Sequence, residues 1–257
     1  MRFLIVGDIV GKPGRRIAAE KIEKIKKSHS IDAVIANGEN SAGGLGITPE
    51  TCEELLRCGI DVLTSGNHIW DKKEILGYID RQEQLLRPLN YPPGVPGRGY
   101  LIHQSNHVKW AVVNVSGRVF MNPLDCPFQS IDRVLPEIQN ETKIIVIDFH
   151  AEATSEKIAF GWYTDGRVSC VVGTHTHVIT ADERILPGGT AYITDIGMTG
   201  AHDSVIGIEV QQIVDRFLTQ IPVKYTVAKE NVILNGVVVE IDDKTGKAIS
   251  ISRLSLT

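Results

Sequence analysis

The chain has 257 residues, 42% hydrophobic and 23% charged, with 31 acidic against 27 basic side chains and a formal net charge of -4. This length suits one large domain or two small ones and can fold without disulfides, while the mild acidity excludes a dedicated nucleic-acid coat but not a local nucleotide site. Cys52, Cys58, Cys126 and Cys170 form no C-x-x-C pair, and no apolar run approaches the ~20 residues that span a bilayer, so free buried thiols and a cytoplasmic location are expected.

Phe3 to Val6 is a continuous apolar run ended by Gly7-Asp8 and reads as a buried strand. Arg15 to Lys27 is helical, with Ala18, Ile22 and Ile25 on one face. A second strand, Ile31 to Ala36, stops at Asn37-Gly38-Glu39-Asn40. Thr48-Pro49 supplies an N-cap and first-turn proline for a helix carrying Cys52, Leu55 and Leu56. A third strand, Ile60 to Thr64, stops at Ser65-Gly66-Asn67-His68, and Asp71 with Glu74 offers a capping box for a further helix. This β-α-β-α-β-α order belongs to a parallel sheet, whose ligands sit beyond the carboxyl ends of the strands.

Tyr91 to Gly99 is rich in Pro and Gly and reads as a loop. Tyr100 to Gln104 and Val108 to Val115 suggest a hairpin around Ser105-Asn106. Arg118 to Gln129 looks irregular, and Ile131 to Ile138 suggests a short helix. Lys143 to Phe149 is a strand stopping at His150, and Ser169 to Val172 one stopping at Gly173-Thr174-His175-Thr176-His177. Val205 to Ile221 predicts an amphipathic helix with Ile206, Val210, Ile213, Val214, Phe217 and Leu218 inward. Val232 to Asp242 and Ala248 to Leu254 close the chain as a hairpin. One α/β domain over residues 1–257, with two β-rich layers, is the simplest account.

Five apolar strands thus end in Asp8, Glu39-Asn40, Asn67-His68, His150 and His175-x-His177. Taken singly, Asp8 could cap a helix, Glu39-Asn40 could be a solvated loop and His150 a core histidine. Chance does not place ligand-capable residues at every strand end of a sheet. Carboxylates, imidazoles and amides without thiolate suit Fe, Mn, Zn or Mg, and their number exceeds the needs of one ion. Gly7, Gly38, Gly66 and Gly173 stand beside these groups and permit tight turns. On an extended chain His175 and His177 would face the same way.

The blocks Gly7–Gly11, Asn37–Gly44, Gly66–Asp71, Asp148–Glu152 and Val172–His177 resemble those of the calcineurin-like metallophosphoesterases, in their bacterial YmdB-type branch. The segment Asp195-Ile196-Gly197-Met198-Thr199-Gly200 is similar to that branch as well. Relative to the wider superfamily, Ile9-Val10 replaces the histidine of D-x-H, Glu39 stands for the bridging Asp, and Ile69-Trp70-Asp71 follows Asn67-His68.

The resemblance implies an αββα sandwich with the metal site at the strand ends. It implies one ion held by Asp8, Glu39, Asn40 and His177 and another by Glu39, Asn67, His150 and His175, with Glu39 bridging. Iron is the first choice, with Mn, Zn or Mg as alternatives, and the pair is divalent or of mixed valence. Hydroxide from a water shared by the two ions would attack phosphorus, with His68 as proton donor to the leaving oxygen. Asp148 or Glu152 could orient a ligating imidazole.

The implied substrates are small phosphodiesters, 2′,3′-cyclic nucleotides above all, with RNA ends left open. No membrane partner is expected, and a homo-oligomer is compatible with the chain. Two other readings use the same site: a phosphomonoesterase or protein phosphatase, and a regulatory nucleotide- or RNA-binding protein with incidental hydrolysis. Trp70, Tyr91 and Phe120 are the aromatics that could stack on a base. Gly43-Gly44 and Met198-Thr199-Gly200 read as flexible segments bordering the site, with His202-Asp203 near its entrance.

Overall fold

Phe3, Leu4, Ile5 and Val6 alternate between two cores, and this alternation sets the architecture. The computed structural model describes residues 1–105 and 107–257. The chain begins with strands Arg2–Val6 (β1) and Asp8–Ile9 (β2), helix Gly11–Ser28 (α1), strand Ala33–Asn37 (β3), helix Pro49–Arg57 (α2) and strand Val62–Thr64 (β4). Tyr100–Ser105 (β5), Val108–Ser116 (β6), Pro127–Glu141 (α3), Ile145–His150 (β7), Thr154–Thr164 (α4) and Cys170–Thr174 (β8) follow. Arg184–Ile185 (β9), Ala191–Ile193 (β10), Met198–Ala201 (β11), Val210–Thr219 (α5), Val232–Ile241 (β12) and Ala248–Leu256 (β13) complete it.

The first sheet runs β2-β11-β12-β1-β3-β4, with β13 on β12; the second runs β5-β6-β7-β8-β10-β9. β1, β3 and β4 are parallel, as are β6, β7, β8 and β10, so their carboxyl ends share one edge in each sheet. Side chains alternate faces along a strand. Leu4 and Val6 therefore pack under α1 and α2 with Ile17, Ile22 and Leu55. Phe3 and Ile5 face Trp110, Val112 and Val146 of the second sheet. Val113, Ile147 and Tyr192 on that sheet's other side pack with Ile131, Leu135 and Phe160 of α3 and α4. The order is helix, sheet, sheet, helix, which is the expected αββα sandwich.

Several elements differ from the sequence expectation. α1 begins at Gly11, because Pro13 occupies its first turn without costing a helix hydrogen bond. α3 starts at Pro127 for the same reason and runs to Glu141 through Pro136. Asp71 caps no helix: the segment after it is a five-residue 3-10 turn, Lys73–Gly77, and the Asp71 carboxylate is engaged elsewhere. Met198–Ala201 is no flexible segment but strand β11, pairing with Asp8–Ile9. Asn106, expected at the turn between β5 and β6, lies outside the described residues.

The largest departures are α4 and α5. α4 shows no clean apolar stripe, because Glu156 and Lys157 are buried and Trp162 and Tyr163 exposed. α5 is shorter than expected and turned around. Ile206 and Gly207 adopt positive φ (48° and 100°), so residues 205–208 form a tight turn closed by Val205 and Ile208. Of the apolar stripe only Ile213 is buried; Val210, Val214, Phe217 and Leu218 face solvent. All four cysteines are free; Cys52 and Cys170 are buried, and burial pushes the Cys52 thiol up to about 12. No helix among the described residues is long and apolar enough to cross a membrane.

Candidate metal centre

Each strand end delivers its side chain through a constrained turn. Asp8 follows Gly7, where a Cβ would lie 1.9 Å from the Gly197 carbonyl oxygen. Glu39 follows Asn37, whose Oδ1 accepts from the Glu39 amide at 3.1 Å while its Nδ2 donates to Asp148 and to Ser65 O. Gly66 precedes Asn67, and a Cβ there would sit 2.2 Å from His150 Cδ2 and 2.4 Å from Glu39 Oε2. The missing methyl leaves room for the cluster itself. His175 and His177 are not on extended backbone: both lie beyond β8 at positive φ, 94° and 66°. Non-glycine residues held in this region cost of order 1–3 kcal/mol each, offset by the contacts that fix the turn.

The seven residues expected to bind metal lie in one connected group. His150 Nε2 is 3.0 Å from each of Glu39 Oε1, Asn67 Oδ1 and His175 Nδ1. Asn40 Nδ2 lies 3.1 Å from His177 Nε2 and 3.4 Å from Glu39 Oε1. An amide turned over at this point presents its oxygen to the same atoms. Asp8 Oδ2 accepts from the His175 amide at 3.2 Å. Asp8 Oδ1 is 4.0 Å from His177 Nε2 and 3.9 Å from His150 Nδ1. It is buried and has no hydrogen-bond partner.

Donor set and geometry fit cations. Each imidazole has its outer nitrogen tied to an acceptor. The Thr174 hydroxyl gives its only proton to Asp148 Oδ1 (2.7 Å), so it can only accept from His150 Nδ1 (2.9 Å). His177 Nδ1 donates to the Ile206 carbonyl at 2.9 Å, and His175 Nε2 faces Glu152 Oε2 at 3.1 Å. In each neutral ring the remaining nitrogen carries a lone pair directed at the cluster. Lone pairs from ring nitrogens and carboxylates converge on the cluster, the Asn40 amide joins them once its oxygen is turned inward, and a buried carboxylate oxygen stands unpaired. Glu39, His150 and His175 place ligand atoms within 4.8 Å of one another, a group able to hold a divalent ion.

Burial and the neighbouring charges pull the titratable groups of the cluster in opposite directions. Burial raises the Asp8 carboxyl, and His177 and His150 offset this only in part, leaving it at about 6. Burial acts on Glu39 in the same sense, but the neighbouring His150 overrides it and holds the carboxyl low. His150 is disfavoured as a cation by burial, yet Glu39 beside it drives its pKa up. His175, half-buried and next to His150, is pushed down to about 3. Burial also raises Asp148, against hydrogen bonds from Thr174, Thr64 and Asn37.

Around this core lie residues of two kinds. Asp195 accepts from the Thr176 hydroxyl (2.7 Å) and from buried Lys157 (2.6 Å), fixing the turn between His175 and His177 to α4. His68 donates its amide to Glu39 Oε2 at 3.0 Å, and its Nδ1 lies 2.8 Å from Asp71 Oδ2. A cavity of about 360 Å³ opens over the cluster; His68, Glu152 and His177 line it, as do Gly43, Gly44, Leu45, Ile206, Ile208 and Tyr225. Trp70 and Tyr91 do not line this cavity but pack edge-to-face on each other at 5.7 Å, and Phe120 is exposed and outside its lining. His202 does not line it either, and Asp203 accepts from Asn231. Sequence reading missed Asp71 as the partner of His68 because S/T/D-x-x-E is also a capping signal. It missed Tyr225 because no local pattern marks that residue.

Two facing sheets between helical layers, with this cluster beyond the carboxyl ends of their strands, define the calcineurin-like metallophosphoesterase fold. The chain belongs to the YmdB-like protein family, whose model matches residues 4–254. It is 52% identical over 254 residues to the 2′,3′-cyclic-nucleotide 2′-phosphodiesterase of Bacillus subtilis strain 168, covering 99% of this chain and 96% of the relative. A hypothetical protein from Thermus thermophilus has a similar crystal structure, with TM-score 0.94 and 41% identity over 100% of this chain and 99% of that one. A novel phosphatase from Mycoplasma pneumoniae matches with TM-score 0.94 and 35% identity, over 100% and 93% of the two chains. The motif resemblance and the expectation of a phosphodiesterase-type enzyme agree with this membership.

Proposed function

We propose that this chain, acting as one domain, is a dinuclear-metal phosphodiesterase that opens 2′,3′-cyclic nucleotides. The observation that carries the reading is the set of inward lone pairs around buried, unpartnered Asp8 Oδ1. The activity printed for the B. subtilis relative supports the substrate class. Asp8, Glu39, Asn40 and His177 would hold one ion, and Glu39, Asn67, His150 and His175 the other. Glu39 suits the shared position because its Oε1 lies between His150 Nε2 and Asn40. A set of N and O ligands without thiolate suits Fe, Mn, Zn or Mg, with Fe taken first from the family resemblance. When bound, such ions lower the pKa of a shared water and neutralise phosphate charge.

The chain's own groups supply the rest. Asp71 at His68 Nδ1 fixes the imidazole tautomer, so Nε2 is the nitrogen that faces the departing ribose oxygen with a proton. His68 is tied to the cluster only through its amide, which keeps its ring available for that transfer. Protein purified without oxygen should carry about two ions per chain and hydrolyse cyclic phosphodiesters faster than phosphomonoesters or phosphopeptides. Turnover confined to monoesters, or absent with every metal, would overturn the proposal.

A further inference from the structure

The cavity over the cluster has two kinds of lining. Polar ligand-type residues form one part, and Leu45, Ile206, Ile208 and Tyr225 form an apolar part without charge. Leu45, Ile206 and Tyr225 are 43%, 52% and 43% exposed, so these large side chains contribute little to the core. Ile206 is β-branched and sits at φ 48°, a conformation its side chain disfavours. The turn that imposes it is closed by Val205 and Ile208 amides at 2.9 and 3.0 Å and by the Ser204 hydroxyl on the Gly207 amide at 2.8 Å. That turn does two things at once: the Ile206 carbonyl orients His177, and the Ile206 side chain lines the cavity. The Tyr225 ring has the Arg216 guanidinium over it at 5.8 Å.

We infer that this apolar wall is a nucleobase subsite, continuous with the phosphate-binding end; the inference rests on the phosphodiesterase reading above. A 2′,3′-cyclic phosphate carries its base on the same sugar, so a base must lie within one ribose of the reacting phosphorus. About 360 Å³ is near the lower bound of roughly 300–1,000 Å³ for small-molecule sites, room for one nucleoside rather than a chain. Among these four side chains only the Tyr225 hydroxyl can hydrogen-bond. Recognition is therefore by stacking and apolar contact, which every base can satisfy and which favours the larger purines.

The test compares adenosine 2′,3′-cyclic phosphate with methyl β-ribofuranoside 2′,3′-cyclic phosphate, which lacks a base, on the metal-loaded protein. The wild type should prefer the nucleotide about tenfold or more in kcat/KM, chiefly through KM. Tyr225→Ala should bring that ratio towards one, and Tyr225→Phe should keep it. Binding gives an independent readout: adenosine 3′-monophosphate should bind the wild type about tenfold tighter than ribose 3-phosphate, and Tyr225→Ala should erase the difference. Equal kcat/KM for the two esters on the wild type, or a ratio unmoved by Tyr225→Ala, overturns the subsite alone. No turnover of either ester overturns the phosphodiesterase reading and the subsite with it.

Discussion

Asp8 shows how the site is balanced at the level of single residues. Its Oδ1 is buried without a partner, and burial outweighs two nearby imidazoles to leave the carboxyl at about 6. The residues proposed as ligands and the proposed proton donor differ in one respect: the proposed ligand rings tie their outer nitrogen to an acceptor and turn the other nitrogen inward, whereas His68 meets the cluster through its backbone amide. His68→Ala should therefore retain bound metal while kcat falls about 10²–10⁴-fold. Metal analysis beside steady-state rates checks this, and loss of metal would count against the donor role. A second residue reports on the segment after His177. Asp182 accepts from the Thr180 hydroxyl at 2.6 Å and the Thr194 amide at 3.1 Å; burial would raise its carboxyl, but these bonds hold it low. A depressed folded pKa contributes stability that is present above the unfolded value and lost as pH falls through the folded one. The Tm deficit of Asp182→Asn should be full near pH ~6 and shrink below about pH 4. A deficit constant across that range would contradict it. The ligand-type residues were legible in the chain because each follows a short apolar run. Asp71 was not, since its partner His68 is recognised only once the turn is folded.

Among elements, α5 separates periodicity from orientation. Its stripe of Val210, Ile213, Val214, Phe217 and Leu218 has helical spacing, yet only Ile213 meets the core. Ile213→Ala should cost about 2–3 kcal/mol. Phe217→Ala, at a side chain 73% exposed, should stay within about 0.5 kcal/mol. Thermal or urea unfolding of the two variants reads this directly, and a larger loss for Phe217→Ala would reverse the assigned face. α4 is the opposite case. Glu156 accepts from the Arg118 and Val119 amides and Lys157 pairs with Asp195, so charged residues face inward and hide the helix from pattern reading.

At the scale of the molecule, Phe3, Ile5, Val237 and Val239 of one sheet share a core with Trp110, Val112 and Val146 of the other. Neither sheet can lose the other without exposing this layer, so the chain should unfold in one cooperative transition. With a divalent ion at 100-fold its Kd, stability should rise by about 2.7 kcal/mol and Tm by roughly 5–10 °C, reversibly on chelation. Calorimetry with and without chelator tests both points. Two resolved transitions would argue against one domain, and an unchanged Tm against a site that is completed by metal.

Short apolar runs ending in a polar residue are a local signal, and they were enough to predict the parallel strands, their shared carboxyl edge and that Asp8, Glu39, Asn40, Asn67, His150, His175 and His177 gather there as candidate ligands. Local pattern could not decide which way a finished element faces. α5 turns its stripe outward because Ile206 and Gly207 break the helix before Val210. Tyr225 reaches the cavity, and Glu152 reaches His175, only through contacts between distant parts of the chain. Burial, proton placement and the closing of the cavity depend on which neighbours arrive, and those are fixed when the two sheets pack together.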